Sequence, residues 1–286
     1  MRIFITVICS LILGLSTQAQ KKDAYVIYNS KGRKVTYRKM LKTVVKNDIT
    51  LFGEYHNNPI CHWLELTLAQ DIKAKGRNLI LGAEMIETDN QEVLDAYLNG
   101  SIDYEGLDSL ARLWSNYATD YAPIVDFAKA NNLKFIGTNI PRRYASMVFK
   151  QGGFEALEGL PQEELEWIAP LPVPFDPTLS QYEAMQSMME GHDGLPFVQA
   201  QAIKDATMGH FILTNYSAGS HFLHYNGTYH SDYYQGILWY LHQAQPNLQY
   251  VTISTVEQDD IYTLDIEHKG KAEFIICIDA DMTKTY

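Results

Sequence analysis

Short apolar runs alternate with longer amphipathic stretches along most of this chain. The apolar runs predict strands at residues 49–52, 79–82, 133–137, 221–226, 250–254 and 274–278, and a small hairpin at 25–28 and 35–37. The amphipathic stretches predict helices at residues 37–45, 59–75, 91–98, 121–131, 142–150, 179–189, 197–216 and 235–242. This alternation predicts an α/β fold with a mainly parallel central sheet, helices on both faces and an additional helical lobe.

The helix predicted from residue 59 has clear boundary signals. Asn58 suits the N-cap, Pro59 suits the first helical position, and Gly76 follows the last turn. A proline-rich stretch at residues 160–177 interrupts regular structure and indicates a loop or a boundary between two lobes. We expect a single domain over residues 20–286, with helical insertions around 85–130 and 155–216.

The first nineteen residues have the pattern of a secretory signal peptide. Arg2 precedes an apolar run at residues 3–15, and the small residues at 16–19 offer a cleavage site. The run is too short to cross a membrane, although a retained anchor is the alternative interpretation. Cys9 lies inside the apolar run, so no lipoprotein signal is predicted. We therefore expect a periplasmic or secreted protein.

The overall charge and the cysteine content exclude several classes of protein. The formal net charge of −11 argues against binding to nucleic acid or anionic lipid through the overall field. Only Cys61 and Cys277 lie beyond the predicted signal peptide, so a disulfide framework is not expected. The sequence has no serine-hydrolase elbow, phosphate loop or dinucleotide-binding glycine pattern.

Two tetrads of the same form follow predicted strands. They are Gly53-Glu54-Tyr55-His56 and Gly227-Thr228-Tyr229-His230. Each places a histidine on a loop at the carboxyl end of a strand, which is where ligands bind in open α/β sheets. Further polar residues at predicted strand ends are Glu84, Asn139 and Asp232, and His62 lies close behind the first tetrad.

These side chains suit either an acid–base pair or a metal site. We predict catalytic roles for Glu54, His56, Glu84 and His230. The predicted metal ligands are His56, His62, Glu84 and His230, which suit Mn²⁺, Co²⁺ or Zn²⁺. The alternative is that each strand-end histidine only forms a hydrogen bond with a loop carbonyl.

Other residues are candidates for contacting a ligand. Arg142 and Arg143 follow Pro141 at a helix start and could hold a ligand carboxylate, unless they are simply solvated. Tyrosine is abundant, with 19 residues, and Tyr121 and Tyr229 lie beside candidate motifs. Gln201 and Asp205 fall on an otherwise apolar helical face and suggest a buried hydrogen-bonded pair.

The order of these motifs resembles that of the haem-binding uptake ChaN family, part of the wider Tiki/TraB superfamily. The matching segments are residues 51–59 with His62, residues 81–85, Trp114 with residues 121–124, residues 137–142, the set Gln201, Asp205 and Met208, and the second tetrad. The resemblance covers roughly residues 48–241. It implies an α/β fold and two activities.

The first implied activity is haem binding for iron uptake, by a homodimer that ligates haem through tyrosine. For this activity we predict Tyr121, Tyr229, Arg142 and Arg143 as the haem-binding residues. The second implied activity is that of a metal-dependent hydrolase of peptide or ester bonds, with the paired Gly-x-x-His motifs and a glutamate at its centre. Whether the protein is an enzyme stays open, and a carrier that has lost both activities is a third interpretation.

Overall fold

The computed structural model describes residues 22–189 and 194–286. The predicted signal peptide at residues 1–19 lies outside the described residues. No helix in the described ranges is both long enough and apolar enough to cross a membrane.

A single sheet forms the centre of the described structure. Its strands are β1 (Tyr25–Asn29), β2 (Lys34–Val35), β3 (Ile49–Glu54), β4 (Asn78–Glu87), β5 (Lys134–Asn139), β6 (Ser220–Gly227), β7 (Tyr250–Gln258) and β8 (Phe274–Asp279). They lie in the order β2-β1-β8-β7-β3-β6-β4-β5. The strands from β8 to β5 are parallel, whereas β1 is antiparallel to both β8 and β2. The prediction of a mainly parallel α/β sheet is confirmed.

Helices connect the parallel strands. They are α1 (Tyr37–Val44), α2 (Pro59–Ala74), α3 (Gln91–Leu98), α4 (Tyr104–Leu110), α5 (Ala122–Ala130), α6 (Arg142–Gln151), α7 (Gln162–Leu165), α8 (Ser180–Ser187), α9 (Leu195–Asn215) and α10 (Ile237–Ala244). Asn58 caps α2 by accepting hydrogen bonds from the amides of Ile60 and Cys61, and Pro59 is its first residue, as predicted. Helix α4 and a π-helical turn at Tyr117–Tyr121 were not predicted.

Alternate side chains of the central strands are buried on opposite faces of the sheet. In β3, Ile49 and Leu51 pack in a cluster with Met208 of α9, whereas Phe52 packs in the cluster that contains Leu64 of α2. Because helices cover both faces, the central strands are apolar on both sides. The carboxyl ends of β3, β4 and β6 carry the polar side chains of Glu54, Glu84 and Asn226, and this edge of the sheet carries the site described next.

Candidate functional site

A cleft of about 640 Å³ opens at the carboxyl ends of β3, β4 and β6. We call it the His56 cleft; its wall includes Glu54, His56, Glu84, Gly227, Tyr229 and His230 from the sheet edge, and Met185, Met188, Phe197, Gln201 and Lys204 from the α8–α9 side. The parallel pairing of β3 with β6 sets Glu54 opposite Gly227. This register brings the two tetrads to one rim of the sheet.

The first half of the site is an acid–imidazole pair from the first tetrad. His56 Nδ1 lies 2.7 Å from Oε1 of Glu54, which also accepts a hydrogen bond of 2.8 Å from the Tyr121 hydroxyl. Glu54 is buried at the end of β3. The His56 ring packs edge-on against Trp114, with ring centroids 4.8 Å apart. The carboxylate therefore orients the imidazole and leaves Nε2 facing the cleft.

The second half is a chain of buried polar groups around the second tetrad. His230 Nε2 lies 3.1 Å from Oε1 of Glu84, and its Nδ1 lies 2.5 Å from Oδ1 of Asp205 in α9. The other oxygen of Asp205 accepts a hydrogen bond of 2.8 Å from the Tyr182 hydroxyl. Gln201, one turn before Asp205, also contacts the His230 ring. The pair that the sequence suggested on this helix thus contacts His230.

Gly227 separates the two halves. Its backbone amide donates a hydrogen bond of 2.7 Å to Oε2 of Glu84. A Cβ atom at this position would lie 2.9 Å from His56 Nε2 and 3.6 Å from Oε2 of Glu84. The glycine is therefore required by the close approach of the His56 ring rather than by its backbone angles, since its φ is −59°.

Burial and charge act in opposite directions on the two imidazoles. Burial alone would lower the pKa of His230, but the charges of Glu84 and Asp205 outweigh it and raise that pKa to about 9. Burial likewise opposes a rise at His56, yet the hydrogen bond that its Nδ1 donates to Glu54 and the charge of Glu84 raise its pKa above the ordinary value. His230, with His56, in turn holds the pKa of Glu84 well below its usual range despite burial. His230 is thus held as a cation between two carboxylates, and the carboxylates near His56 favour the charged form of its imidazole.

His62 lies apart from the other predicted metal ligands. It is buried beneath the first tetrad, where its Nδ1 faces Glu54 and Glu65 and its Nε2 faces Asp120. In the described part of the chain, Glu54, His62 and Glu65 form one set of three potential metal ligands. Their ligand atoms all lie within 4.8 Å of one another. The structure therefore brings His56, Glu84 and His230 to the cleft but places His62 in a separate cluster.

The two tyrosines predicted to contact a ligand differ in their surroundings. Tyr121 is 2% exposed, and its hydroxyl is used by Glu54 beneath the cleft floor. Tyr229 is 51% exposed and lines the His56 cleft. Only Tyr229 of this pair is accessible to a ligand in the cleft.

The two arginines also differ. Arg143 forms an ion pair of 2.6 Å with Asp89 and lies over the Tyr144 ring. Arg142 is exposed and lines a second groove of about 630 Å³, which shares Glu84, Phe197, Gln201 and Lys204 with the His56 cleft. We call this the Arg142 groove. No hydrogen bond or ion pair of the Arg142 guanidinium is found in residues 22–189 and 194–286.

Several cleft residues were not identified from the sequence. Lys204 lies three residues after Gln201 on α9, so the helical spacing from Gln201 was the available signal. Tyr286 is 66% exposed and lines the cleft because Thr285 donates a hydrogen bond of 2.9 Å to the carbonyl of Asn57. Asp232, which the sequence placed near His230, instead contacts Ser254 and Lys271 away from the cleft.

Comparison with known proteins relates this site to one family. Residues 40–241 match the family described as haem-binding uptake, Tiki superfamily, ChaN. ChaN of Campylobacter jejuni, solved with cofacially bound haem, is similar in fold, with a TM-score of 0.68 at 15% identity over 89% of this chain and 97% of that one. A Bacillus cereus protein has a TM-score of 0.51 at 12% identity over 84% and 90% of the two chains. No curated protein matches the chain in sequence. Since the family match spans both tetrads and the residues that connect them, this chain belongs to the haem-binding uptake ChaN family of the Tiki superfamily.

Proposed function

We propose that this protein binds haem in the His56 cleft and serves haem uptake outside the cytoplasm. The observation that carries the proposal is the position of Tyr229, an exposed phenol on the wall of a cleft that also presents Met185, Met188, Phe197 and Lys204. The family to which the chain belongs supports the same ligand. The predicted signal peptide supports export, and we expect a homodimer by analogy with the family.

The residues present fit the chemistry of haem. Met185, Met188 and Phe197 offer apolar contact to a flat macrocycle. Lys204, on the wall shared by the cleft and the Arg142 groove, and Arg142, in that groove, offer positive charge to the propionates. When bound, haem would supply a ferric iron that can take a phenolate ligand, and Tyr229 is the residue placed to provide it. This assignment replaces Tyr121, whose hydroxyl is occupied by Glu54.

Titration of the purified protein with haemin tests the proposal. We expect a saturable shift of the Soret band at micromolar haemin. Tyr229→Phe removes the phenolic oxygen and keeps the ring, so it should weaken binding by about tenfold or more and remove the phenolate-to-iron charge-transfer band. The absence of any saturable Soret change in the unmodified protein would contradict the proposal.

Tyr104→Phe is the matched control. Tyr104 is 40% exposed on α4 and stacks on Tyr117, with no contact to the His56 cleft. The haemin affinity of this variant should equal that of the unmodified protein. If both variants lose affinity to the same extent, the contribution of Tyr229 is not specific, and another ligand must be sought.

A second candidate is a metal-dependent hydrolase, favoured by the arrangement of His56 and His230 around Glu84. In this function the two imidazoles and Glu84 would hold a divalent ion, and Glu54 would act as a general base. Hydrolysis of peptide and ester substrates with added Mn²⁺, Co²⁺ or Zn²⁺ tests it. Turnover that disappears in both His56→Ala and His230→Ala would support a hydrolase, whereas turnover unaffected by either substitution would exclude this mechanism.

A further inference from the structure

Three buried carboxylates surround His62 behind the floor of the His56 cleft. They belong to Glu54, Glu65 and Asp120, which are 1%, 1% and 5% exposed, and His62 itself is 8% exposed. We call these four residues the His62 cluster. It lies on the α2 side of the sheet, whereas His230 contacts Asp205 of α9 on the other side. The cluster shares only Glu54 with the acid–imidazole pairs of the cleft.

The tautomer of His62 follows from what its Nε2 faces. This nitrogen lies 3.2 Å from the backbone carbonyl oxygen of His56 and 3.5 Å from Oδ2 of Asp120. A carbonyl oxygen can only accept a hydrogen bond, so Nε2 carries the hydrogen. Asp120 is held in place by hydrogen bonds from Asn116, at 2.7 Å, and from the Thr285 hydroxyl, at 2.9 Å. A histidine that ligates a metal typically donates its other N–H to a carbonyl or a carboxylate in this way.

The opposite nitrogen faces two carboxylate oxygens at unusual distances. His62 Nδ1 lies 3.2 Å from Oε2 of Glu54 and 3.4 Å from Oε2 of Glu65. A charge-assisted N–H···O bond would bring such atoms to about 2.7–2.9 Å. Two ligands that each bond one cation at about 2.1 Å lie roughly 3.0–3.4 Å apart in octahedral or tetrahedral geometry. The two observed distances fall in the range expected for ligands of a shared ion.

Two carboxylate oxygens of the cluster lack a hydrogen-bond partner among the described residues. Oε2 of Glu54 and Oε1 of Glu65 are buried oxygens with no hydrogen-bond partner in the described structure. A buried carboxylate oxygen without a partner is costly, and two such oxygens lie on neighbouring glutamates here. A proton shared by the two carboxyl groups or a metal ion between them would relieve this cost. A proton on Nδ1 can form only one short hydrogen bond. A metal ion can contact His62 Nδ1 and the carboxylates of Glu54 and Glu65 together.

We propose that Glu54, Glu65 and His62 Nδ1 bind one divalent first-row cation, and that Asp120 orients His62 as a positioning residue. One imidazole nitrogen and two carboxylate oxygens suit Zn²⁺ or Mn²⁺. This site differs from the ion position of the candidate hydrolase, which uses His56, Glu84 and His230. It is independent of haem, because the cleft residues proposed to contact haem are not members of the His62 cluster.

Metal titration of chelator-treated full-length protein tests the proposal. With Zn²⁺ as the probe, calorimetry and elemental analysis should give one tightly bound ion per chain, and the melting temperature should rise with Zn²⁺ concentration. Co²⁺ should bind with the ligand-field absorption of a low-symmetry nitrogen–oxygen site. Glu65→Gln should abolish this binding, and Asp120→Asn should weaken it by about 10- to 100-fold.

Glu84→Gln is the control that separates the two sites. It should retain the full stoichiometry, because Glu84 lies outside the His62 cluster. Loss of the ion in Glu84→Gln but not in Glu65→Gln would place the ion in the cleft and overturn the proposal. Less than about a tenth of an ion per unmodified chain after incubation with Zn²⁺ or Co²⁺ would also overturn it, and would identify the cluster as a protonated ion-pair network.

Two measurements keep the result interpretable. If Glu65→Gln does not fold, as judged by circular dichroism, Asp120→Asn and the Co²⁺ spectrum of the unmodified protein decide the question. Haemin titration of Glu65→Gln should match the unmodified protein. The metal site and haem binding can therefore fail separately.

Discussion

Glu84 accepts a hydrogen bond of 2.7 Å from the backbone amide of Gly227, although 143 residues separate the two in the sequence. The parallel pairing of β4 with β6 brings the two strand ends together. One carboxylate oxygen is thereby held by the backbone, and the other is left to face His230. The second tetrad is thus joined to Glu84 through both its first and its last residue.

We predict that Gly227→Ala disrupts the cleft more than the fold. The added Cβ would lie 2.9 Å from His56 Nε2, so the imidazole must move, although the backbone angles suit alanine. We expect haemin affinity to fall by about tenfold or more and the free energy of unfolding to fall by about 1–3 kcal/mol. Haemin titration and chemical denaturation measure the two effects.

Gly159→Ala is the control for this substitution, since a Cβ there meets no atom within 4 Å. Its haemin affinity should be unchanged. Equal affinity of Gly227→Ala and the unmodified protein would show that the ligand does not depend on the position of His56.

Tyr121→Phe should affect stability rather than haem ligation. The substitution removes one of the hydrogen-bond donors to buried Glu54, and a lost bond to a charged buried group costs about 1–3 kcal/mol. The Soret and charge-transfer bands of the haemin complex should stay the same, because Tyr121 is 2% exposed. Denaturation curves should therefore show the larger loss of stability in Tyr121→Phe. Absorption spectra should show loss of the charge-transfer band only in Tyr229→Phe. Loss of the charge-transfer band in Tyr121→Phe would return the ligand role to that residue.

The Glu84–His230 pair should make stability depend on pH in two directions. His230 has a folded pKa of about 9, above its ordinary 6.5, so its contribution is fully present below pH 6.5 and is lost as the pH rises through 9. The pKa of Glu84 is lowered from 4.5, so its contribution is present above pH 4.5 and is lost as the pH falls further. The contribution of this pair to the free energy of unfolding should be highest between about pH 4.5 and 6.5.

Denaturation of the unmodified protein and of Glu84→Gln at several pH values tests this expectation. The variant should lose less stability than the unmodified protein between pH 6.5 and 9, because His230 no longer has Glu84 beside it. His242→Gln, which changes an exposed histidine, should keep the unmodified profile. Parallel profiles for the Glu84 variant and the unmodified protein would contradict the coupling.

The two arginines should differ in their effect on haemin binding. Arg142→Ala removes an exposed guanidinium from the Arg142 groove, and we expect affinity to fall by about three- to tenfold, with a weaker dependence on salt. Arg143→Ala breaks the ion pair with Asp89 and should leave the affinity within about twofold of the unmodified protein. Haemin titration at low and high ionic strength distinguishes them, and the reverse order would move the propionate contact to Arg143.

Much of the fold could be predicted because local signals agree with it. Asn58 and Pro59 mark the start of α2, and the apolar pattern of residues 49–52 identifies β3. The extension of β4 to Glu87 was not predicted, because Glu84 interrupts the apolar pattern before Met85 and Ile86 continue the strand. Helix α4 and the π-helical turn at Tyr117–Tyr121 were missed because side chains such as Leu107 and Tyr117 are buried against distant elements.

From the sequence, only those site residues that follow a predicted strand could be located. The matched tetrads place His56 and His230 on loops after strands, and in the structure both line one cleft. Which carboxylate pairs with which imidazole depends on the order of strands in the sheet and on the packing of α9. Asp205 was therefore visible as a polar residue on an apolar face but could not be assigned to His230. His62 is likewise separated from the other predicted metal ligands because α2 packs it against Glu65. The spacing of these residues in the sequence does not show this packing.

The position of Tyr286 has a practical consequence for work on the purified protein. Because Thr285 is hydrogen-bonded to Asn57 and Asp120, the chain reaches the cleft mouth at this residue. An affinity tag joined to Tyr286 would begin at the wall of the cleft, and a polyhistidine tag there would introduce its own imidazoles to haemin and to metal ions. Purification tags should therefore precede residue 22 or be removed before any binding experiment.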